Sequence, residues 1–320
     1  MSALAIGNIQ LKNDLILSPM DGYTDHPFRL IAAKLGSAVS YTEFINAIDV
    51  LQGHPHLEQR LFFSDEERPL VYQLLDNNVD RILQAAMILR QRNPDGFDLN
   101  LGCPAHKVAS RGAGSGLLDT PEKIGQIIHT LTHNFDLPIT AKIRLGPADD
   151  NENYLTVAKT IAENGASAIA VHARTRAQAF TGHAAWDAIA EIKQAVNIPV
   201  IGNGDINCVA DIEAMKRHTG CDAVMIGRAA ISNPWILSRR DRNTIGDDEF
   251  FAFVRHHLAQ MMAFYGDRVG LILFRKFANR YIDYYRPDRE IKTELLTSTT
   301  VDDFLAIFDH IIALSARRSP

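Results

Sequence analysis

The sequence predicts an α/β fold, a (β/α)8 TIM barrel followed by a small C-terminal helical domain, on three observations. Eight short apolar, largely β-branched runs start roughly 20–40 residues apart, the spacing of strand–helix units. Amphipathic helical patterns fill the gaps between them. Beyond about residue 240 the strand signal stops and only helical periodicity continues. A doubly wound parallel sheet is the alternative arrangement of the same units. The barrel is expected to span 1–240 and the helical domain 247–320, joined by the polar stretch RRDRNTIGDDE.

In chain order the runs are LILSPM (15–20), AVSYTEF (38–44), PLVYQLL (69–75), FDLNLG (97–102), PITAKIRL (138–145), SAIAVHA (167–173), PVIGNG (199–204) and DAVMIG (222–227). In TPEKIGQIIHTLTH, Thr120 is a candidate cap and Pro121 suits the first turn. Ile124, Ile127, Ile128 and Leu131 then keep the 3.6-residue period. In NENYLTVAKTIAENG, Val157, Ala158, Ile161 and Ala162 form the stripe and Gly165 the stop. FFAFVRHHLAQMMAFYG, GLILFRKFANRYIDYYR and VDDFLAIFDHIIALSA continue with helical period to the end.

Strand alternation locates a site. The face of a barrel strand that meets the helices must be apolar, so Ile139, Ala141 and Ile143 point outward and Thr140, Lys142 and Arg144 inward. The same parity sends Val71 and Gln73, Asp98 and Asn100, and Ala168, Ala170 and His172 inward. A single polar residue near a strand end is ordinary rim. Four strands bringing theirs to the C-terminal ends, where barrel active sites are built, mark a site. GNGDI (202–206) and GRAAI (227–231) end strands 7 and 8, the common position of a phosphate; tight βα turns are the plain alternative. GAGSG (112–116) follows a polar loop rather than a strand, which weakens a nucleotide-loop reading. HPH (54–56) and His256–His257 lack partners at ligand spacing, so no metal is expected.

The 320 residues carry a net charge of −5 and no apolar run long enough to span a membrane. Cys103, Cys208 and Cys221 form no C-x-x-C pair, which fits a reducing compartment; the protein is expected to be cytoplasmic and monomeric. Acidity overall argues against nucleic acid, but 268–292 holds seven basic residues against three acids, interleaved with Phe274, Phe277, Tyr281, Tyr284 and Tyr285. A solvated helix face and an RNA-binding patch both explain that pattern.

SPMDGYTDHPFR (18–29), DLNLGCPAHKV with GAGSGLL (98–118), KIRLG (142–146), VHARTR (171–176), NGDI (203–206) and GCDAVMIGRAAISNPW (220–235) together resemble the dihydrouridine synthase family, FMN-dependent enzymes that reduce uridine in RNA. The resemblance runs to about residue 237, and the helical tail is similar in type and place to the family's RNA-contacting domain. It implies that Cys103 is the acid completing uracil reduction. Saturating the C5–C6 bond takes hydride at C6 from flavin N5 and a proton at C5, and a thiol of ordinary pKa, about 8.5, is mostly protonated at neutral pH. It also implies that Lys142 lies at the flavin's pyrimidine edge, that Gln73 and His172 touch FMN, and that Pro19 and Met20 lie under the ring. Asn203, Gly204, Asp205, Gly227 and Arg228 match the phosphate end, and Asn100 and Arg144 match groups holding the uracil. Lys107 and Arg111 on the cysteine loop, with Arg275 and Arg280 in the tail, are candidate RNA contacts on charge and place. Cys208 and Cys221 are expected to be packing residues. The expected reaction uses NADPH on a tRNA uridine. The alternatives are ribosomal RNA, a flavin enzyme with a small pyrimidine-like substrate, and a non-catalytic RNA-binding barrel.

Overall fold

A computed structural model describes residues 4–316; the first three residues of the expected barrel span and the last four of the expected helical span lie outside the described residues. The chain divides into two compact units, one ending at Gly227 and the other beginning at Arg228.

The first unit is the barrel. Among the described residues, eight parallel strands run β1 (Leu15–Leu17), β2 (Ser40–Tyr41), β3 (Leu70–Leu75), β4 (Gly96–Leu101), β5 (Ile139–Arg144), β6 (Ala168–His172), β7 (Val200–Asn203) and β8 (Ala223–Ile226). From β2 to β8 each pairs with its neighbour in sequence, and β8 returns to β1 through Val224↔Leu15 and Ile226↔Leu17. The seam between β1 and β2 lacks a regular ladder. Ala38 N–H donates to Leu15 O at 2.8 Å, and the Ser37 hydroxyl accepts from Leu17 N–H while donating to Val39 O.

Strand β2 is shorter than AVSYTEF suggests because it bulges. Tyr41 pairs with Val71 and Ile45 with Leu74, so four steps on one strand match three on the other. The Thr42 hydroxyl takes up the Gln73 N–H that the ladder loses there.

Inward and outward faces follow the alternation. Phe97, Leu99 and Leu101, and Ile139, Ala141 and Ile143, are fully buried under the helices. Ile124, Ile127, Ile128 and Leu131 on the helix Pro121–Asn134 are likewise buried, as are Val157, Ala158 and Ile161 on Tyr154–Glu163. Thr120 stands at the N-cap position but donates back to Leu117 O and caps no helical N–H. Gly165, at φ +91°, ends the second helix by adopting the left-handed region. Inside the barrel, Ile16, Tyr41, Val71, Ala168, Ala170, Ile201, Ala223 and Met225 close one cluster with Ile6, Ile9 and Leu11 from an N-terminal hairpin. Polar groups are thereby confined to the other end.

The second unit is helical, with Asp247–Tyr265, Asp267–Tyr281, Arg289–Thr297 and Val301–Ala316 as its longer elements. Arg289–Thr297 buries only Leu295 and carries too narrow an apolar stripe to be read from sequence. Phe274, Phe277, Tyr281 and Tyr285 are buried and pack with Phe250, Phe304 and Phe308, so the tail's aromatics are core rather than an exposed stacking surface; Tyr284 is half-exposed. Among the described residues no helix is long and apolar enough to cross a membrane.

Beside the barrel mouth, buried Glu67 accepts from Arg29 Nε at 2.8 Å and from the His26 ring at 2.6 Å, while Arg29 also donates to Thr24 O and Phe62 O. Removing one partner of such a pair strands a buried charge. Glu67→Ala is expected to cost about 3–5 kcal/mol in chemical denaturation, and a loss below about 1 kcal/mol would show that the pair contributes no net stability.

Candidate active site

The inward polar residues meet at the C-terminal mouth because register aligns them. Gln73 pairs with Asp98 and Asp98 with Thr140; Asn100 pairs with Lys142; Arg144 pairs with His172 and His172 with Asn203. The first two rows form a continuous chain. Thr140 Oγ1 donates to Asp98 Oδ1 at 2.6 Å, and Gln73 Nε2 donates to Asp98 Oδ2 at 2.8 Å. Asn100 Nδ2 donates to Gln73 Oε1 at 2.7 Å, and Asn100 Oδ1 accepts from the backbone N–H of Gly102 and Cys103. Burial pushes the Asp98 carboxyl up to about 6 against the pull of Thr140, Gln73 and Lys142.

Cys103 follows β4 and is held from both sides. Its carbonyl accepts from Ser115 N–H and, at 2.7 Å, from the fully buried Ser115 hydroxyl. Gly114 sits at φ +57°, where a Cβ would lie 3.1 Å from the Cys103 carbonyl. At Gly116 a Cβ would lie 2.4 Å from Ala109 O. The GAGSG run is thus a clamp on the cysteine loop, and its glycines answer backbone contact rather than a nucleotide. Burial pushes the Cys103 thiol up, partly opposed by the Ala105 backbone N–H and by the charges of Arg144 and Arg111.

Lys142 is nearly buried and donates to Asn203 Oδ1 at 3.0 Å; desolvation, then Arg144, lower its ammonium to about 8. Asn203 passes its own amide to Met225 O. Arg144, 2% exposed, donates to Gly102 O, Thr175 O and Ala179 O and lies under the Phe180 ring at 5.4 Å; burial, then Arg174, lower it to about 10. Its nitrogens therefore brace the cysteine loop against the loop after β6, a different task from holding a base directly. Buried Arg174, which strand parity does not mark, donates to Thr181 O, Gly182 O, Asp205 Oδ1 and His172 Nε2. Asp205, at φ +56°, gives its other oxygen to Ala184 N–H, so its carboxylate is engaged within the protein.

The phosphate-end candidates differ in their constraints. Gly204 has φ +126° and a Cβ there would lie 2.8 Å from that of Ala184, whereas a Cβ at Gly227 would meet only ordinary contacts with Met20 and Ser18. Pro19 and Met20 are half-buried just beyond β1, and Arg228 is exposed at the start of a short helix. Lys107 and Arg111 are exposed on the cysteine loop, Arg111 reaching Asn46 Oδ1 at 3.4 Å. In the second unit Arg280 is exposed near Asp283, but half-buried Arg275 donates to Ser298 O at 2.6 Å and ties two helices. Cys221 is buried; Cys208 is half-buried and caps the helix Val209–Thr219 with Asp211, a role beyond packing. Among the described residues no group of three or more His, Cys, Asp or Glu could hold a metal ion.

Residues 16–316 match the family described as Dihydrouridine synthase (Dus). The chain belongs to the dihydrouridine synthase family. It is 37% identical over 290 residues to a Pseudomonas putida protein named tRNA-dihydrouridine synthase B, covering 88% of this chain and 86% of the relative. A Pseudomonas aeruginosa protein of the same name is 36% identical, over 92% and 91% of the two chains. A probable tRNA-dihydrouridine synthase of Aquifex aeolicus is 33% identical, over 89% and 92%. Among solved structures, histamine dehydrogenase from Rhizobium sp. 4-9 is similar with TM-score 0.55 at 14% identity, covering 81% of this chain and 50% of that one, a likeness of fold alone.

Dihydrouridine synthases are flavin-dependent oxidoreductases, and the mouth fits such a group. Lys142 is a buried cation with an amide oxygen as partner and, among the described residues, no carboxylate within ion-pair distance, an environment that favours an added negative charge. The signal for Ser115 and Asp98 was present in the sequence as a small polar residue among glycines and as a carboxylate of inward parity; Arg174 lies beyond the end of β6 and had no such mark.

The lowered Lys142 gives a signed expectation. Below pH 8 both folded and unfolded chains hold the ammonium, and its burial penalty is fully present; above about 10.5 neither does. Lys142→Met in the ligand-free protein should therefore gain most relative to wild type at about pH 7. That gain should shrink by about 3 kcal/mol as pH rises past about 10.5. Denaturant titration at about pH 7 and above about pH 10 measures it, and a difference that does not move with pH would contradict a desolvated ammonium.

Proposed function

We propose that this protein reduces a specific uridine of tRNA to 5,6-dihydrouridine, with FMN as its bound cofactor and NADPH as reductant. The observation that carries the reading is Cys103: a thiol kept protonated by burial, clamped at the mouth of the barrel beside buried cations. The net reaction turns uridine, NADPH and a proton into dihydrouridine and NADP+. Reduced FMN, when bound, supplies hydride to C6 of the uracil. Gln73, Lys142, His172 and Asn203 would hold the flavin ring and Gly204, Gly227 and Arg228 its phosphate, with Pro19 and Met20 beneath; Asp205 serves through Arg174. Cys103 Sγ–H passes its proton to C5 and recovers one from solvent. The thiolate left for that interval is eased by the charges of Arg144 and Arg111. Asn100 and Arg144 position the uracil and the loop it meets. The RNA is met by Lys107 and Arg111 and by exposed basic residues of the second unit.

The purified protein is expected to be yellow, with about one FMN per chain. Cys103→Ala should leave bleaching of the flavin by NADPH near normal and slow reoxidation by tRNA by roughly 10²–10⁴, the usual contribution of a positioned acid. Because the acid must be protonated, loss of the thiol proton should slow the wild-type RNA step only as pH rises beyond the ordinary thiol range. Assays on unmodified tRNA, ribosomal RNA and free pyrimidines distinguish the substrates. A colourless protein that takes up no FMN, or a Cys103→Ala enzyme reducing uridine at full rate, would overturn the reading.

Arg275 serves a helix tie, so the RNA face is better probed at exposed Arg268 and Arg280. Reversing both to Glu should weaken tRNA binding, lower the salt slope by about one unit for each phosphate no longer neutralised, and leave flavin content unchanged. Equal affinity across salt concentrations would return this stretch to a solvated face.

A further inference from the structure

We infer that Asp98 is a positioning residue that sets the hydrogen-bond polarity of the active site, so that Asn100 holds the Cys103 loop by its oxygen and offers the substrate only N–H. The inference rests on the proposed uridine reduction.

A side-chain amide can be turned either way unless its neighbours forbid it. Here both ends of the chain are fixed. At one end an ionised carboxylate only accepts, so Gln73 must present Nε2 to Asp98 and Oε1 to Asn100. At the other, the N–H groups of Gly102 and Cys103 only donate, so Asn100 must face them with Oδ1. The two requirements agree, and each amide nitrogen keeps one further N–H. Both acceptor sites of Asn100 Oδ1 are taken by the loop. Whatever base meets Asn100 is therefore met by a donor, which suits a ring carbonyl such as uracil O4 and not the amino group of cytosine.

Turning both amides over would set two N–H groups of Asn100 against two backbone N–H groups and release the loop that carries the thiol. Asp98 prevents this as long as it is ionised. Protonated, it becomes a donor as well as an acceptor, and the direction is then held only by the Gly102 and Cys103 N–H groups at the other end. The groups facing Asp98 are Tyr41, Gln73, Thr140 and Lys142. Tyr41 is held protonated by burial, and Lys142, at about 8, keeps its charge below about pH 7. Of these groups only Asp98, at about 6, changes state between about pH 5 and 7.

Asp98→Asn keeps shape and volume but accepts either polarity. Stopped-flow measurement of the two half-reactions from about pH 5 to 7 tests the inference. In wild type, reoxidation by tRNA should fall below about pH 6, while bleaching by NADPH does not follow it. In Asp98→Asn, reoxidation should be about 10–100-fold slower at about pH 7, the usual cost of losing an orienting partner, and flat across this range. Bleaching by NADPH, which needs neither Asn100 nor Cys103, should slow much less than reoxidation, and the wild-type profile needs no variant to fold. If the wild type reduces uridine and Asp98→Asn matches it in rate and profile, the carboxylate sets no polarity and the inference fails. A wild-type protein without flavin or uridine reduction overturns the underlying reading and this inference with it.

Discussion

The three hydrogen bonds from Arg144 to Gly102 O, Thr175 O and Ala179 O join the two loops that make the mouth of this barrel. One loop carries Cys103 and the other carries Phe180, whose ring lies against the Arg144 guanidinium. A guanidinium suits the task because it donates in several directions from one plane and stays charged even when burial lowers it to about 10. Because Arg144 belongs to β5, the reach between the loops is set by strand register rather than by the loops themselves. Arg174 repeats the device one layer on, tying Thr181 and Gly182 to Asp205.

These side chains concentrate positive charge in a poorly solvated place. Lys142, Arg144 and Arg174 face carboxylates only at Asp98 and Asp205 among the described residues, and Asp98 is itself resisted by burial. An anionic group bound among these cations would offset the cost of their burial. Burial favours the neutral form of the Cys103 thiol as well, and that form needs no counter-charge. Neighbouring strands thus hold a protonated thiol beside cations whose charge burial opposes and a bound anionic group would stabilise.

In the helical unit, the rings of Phe274, Phe277 and Tyr281 are buried in the core, Arg242 lies over Phe250 and Tyr285, and Arg275 braces a helix end at Ser298 while Arg268 and Arg280 are exposed. The RNA contact proposed for this unit would therefore rest on phosphates met by charge more than on bases met by stacking.

The strand–helix alternation, the inward parity of Gln73, Asp98, Asn100, Lys142, Arg144 and His172, and the place of Cys103 past β4 were all legible in the sequence. They depend on periods of about 2 and 3.6 that any buried strand or helix must keep. The bulge in β2, the clamp of Ser115 on Cys103 O, the cap formed by Cys208 and the diversion of Arg144 and Arg275 to backbone carbonyls were not. Each depends on which donor and acceptor come within about 3 Å across distant segments, and side-chain type alone does not choose among partners. Parity placed Asp98 inside the barrel. Only the register of β3, β4 and β5 set its two oxygens against Gln73 and Thr140 and so gave the chain of amides its direction, because a hydrogen bond has polarity and a sequence pattern does not.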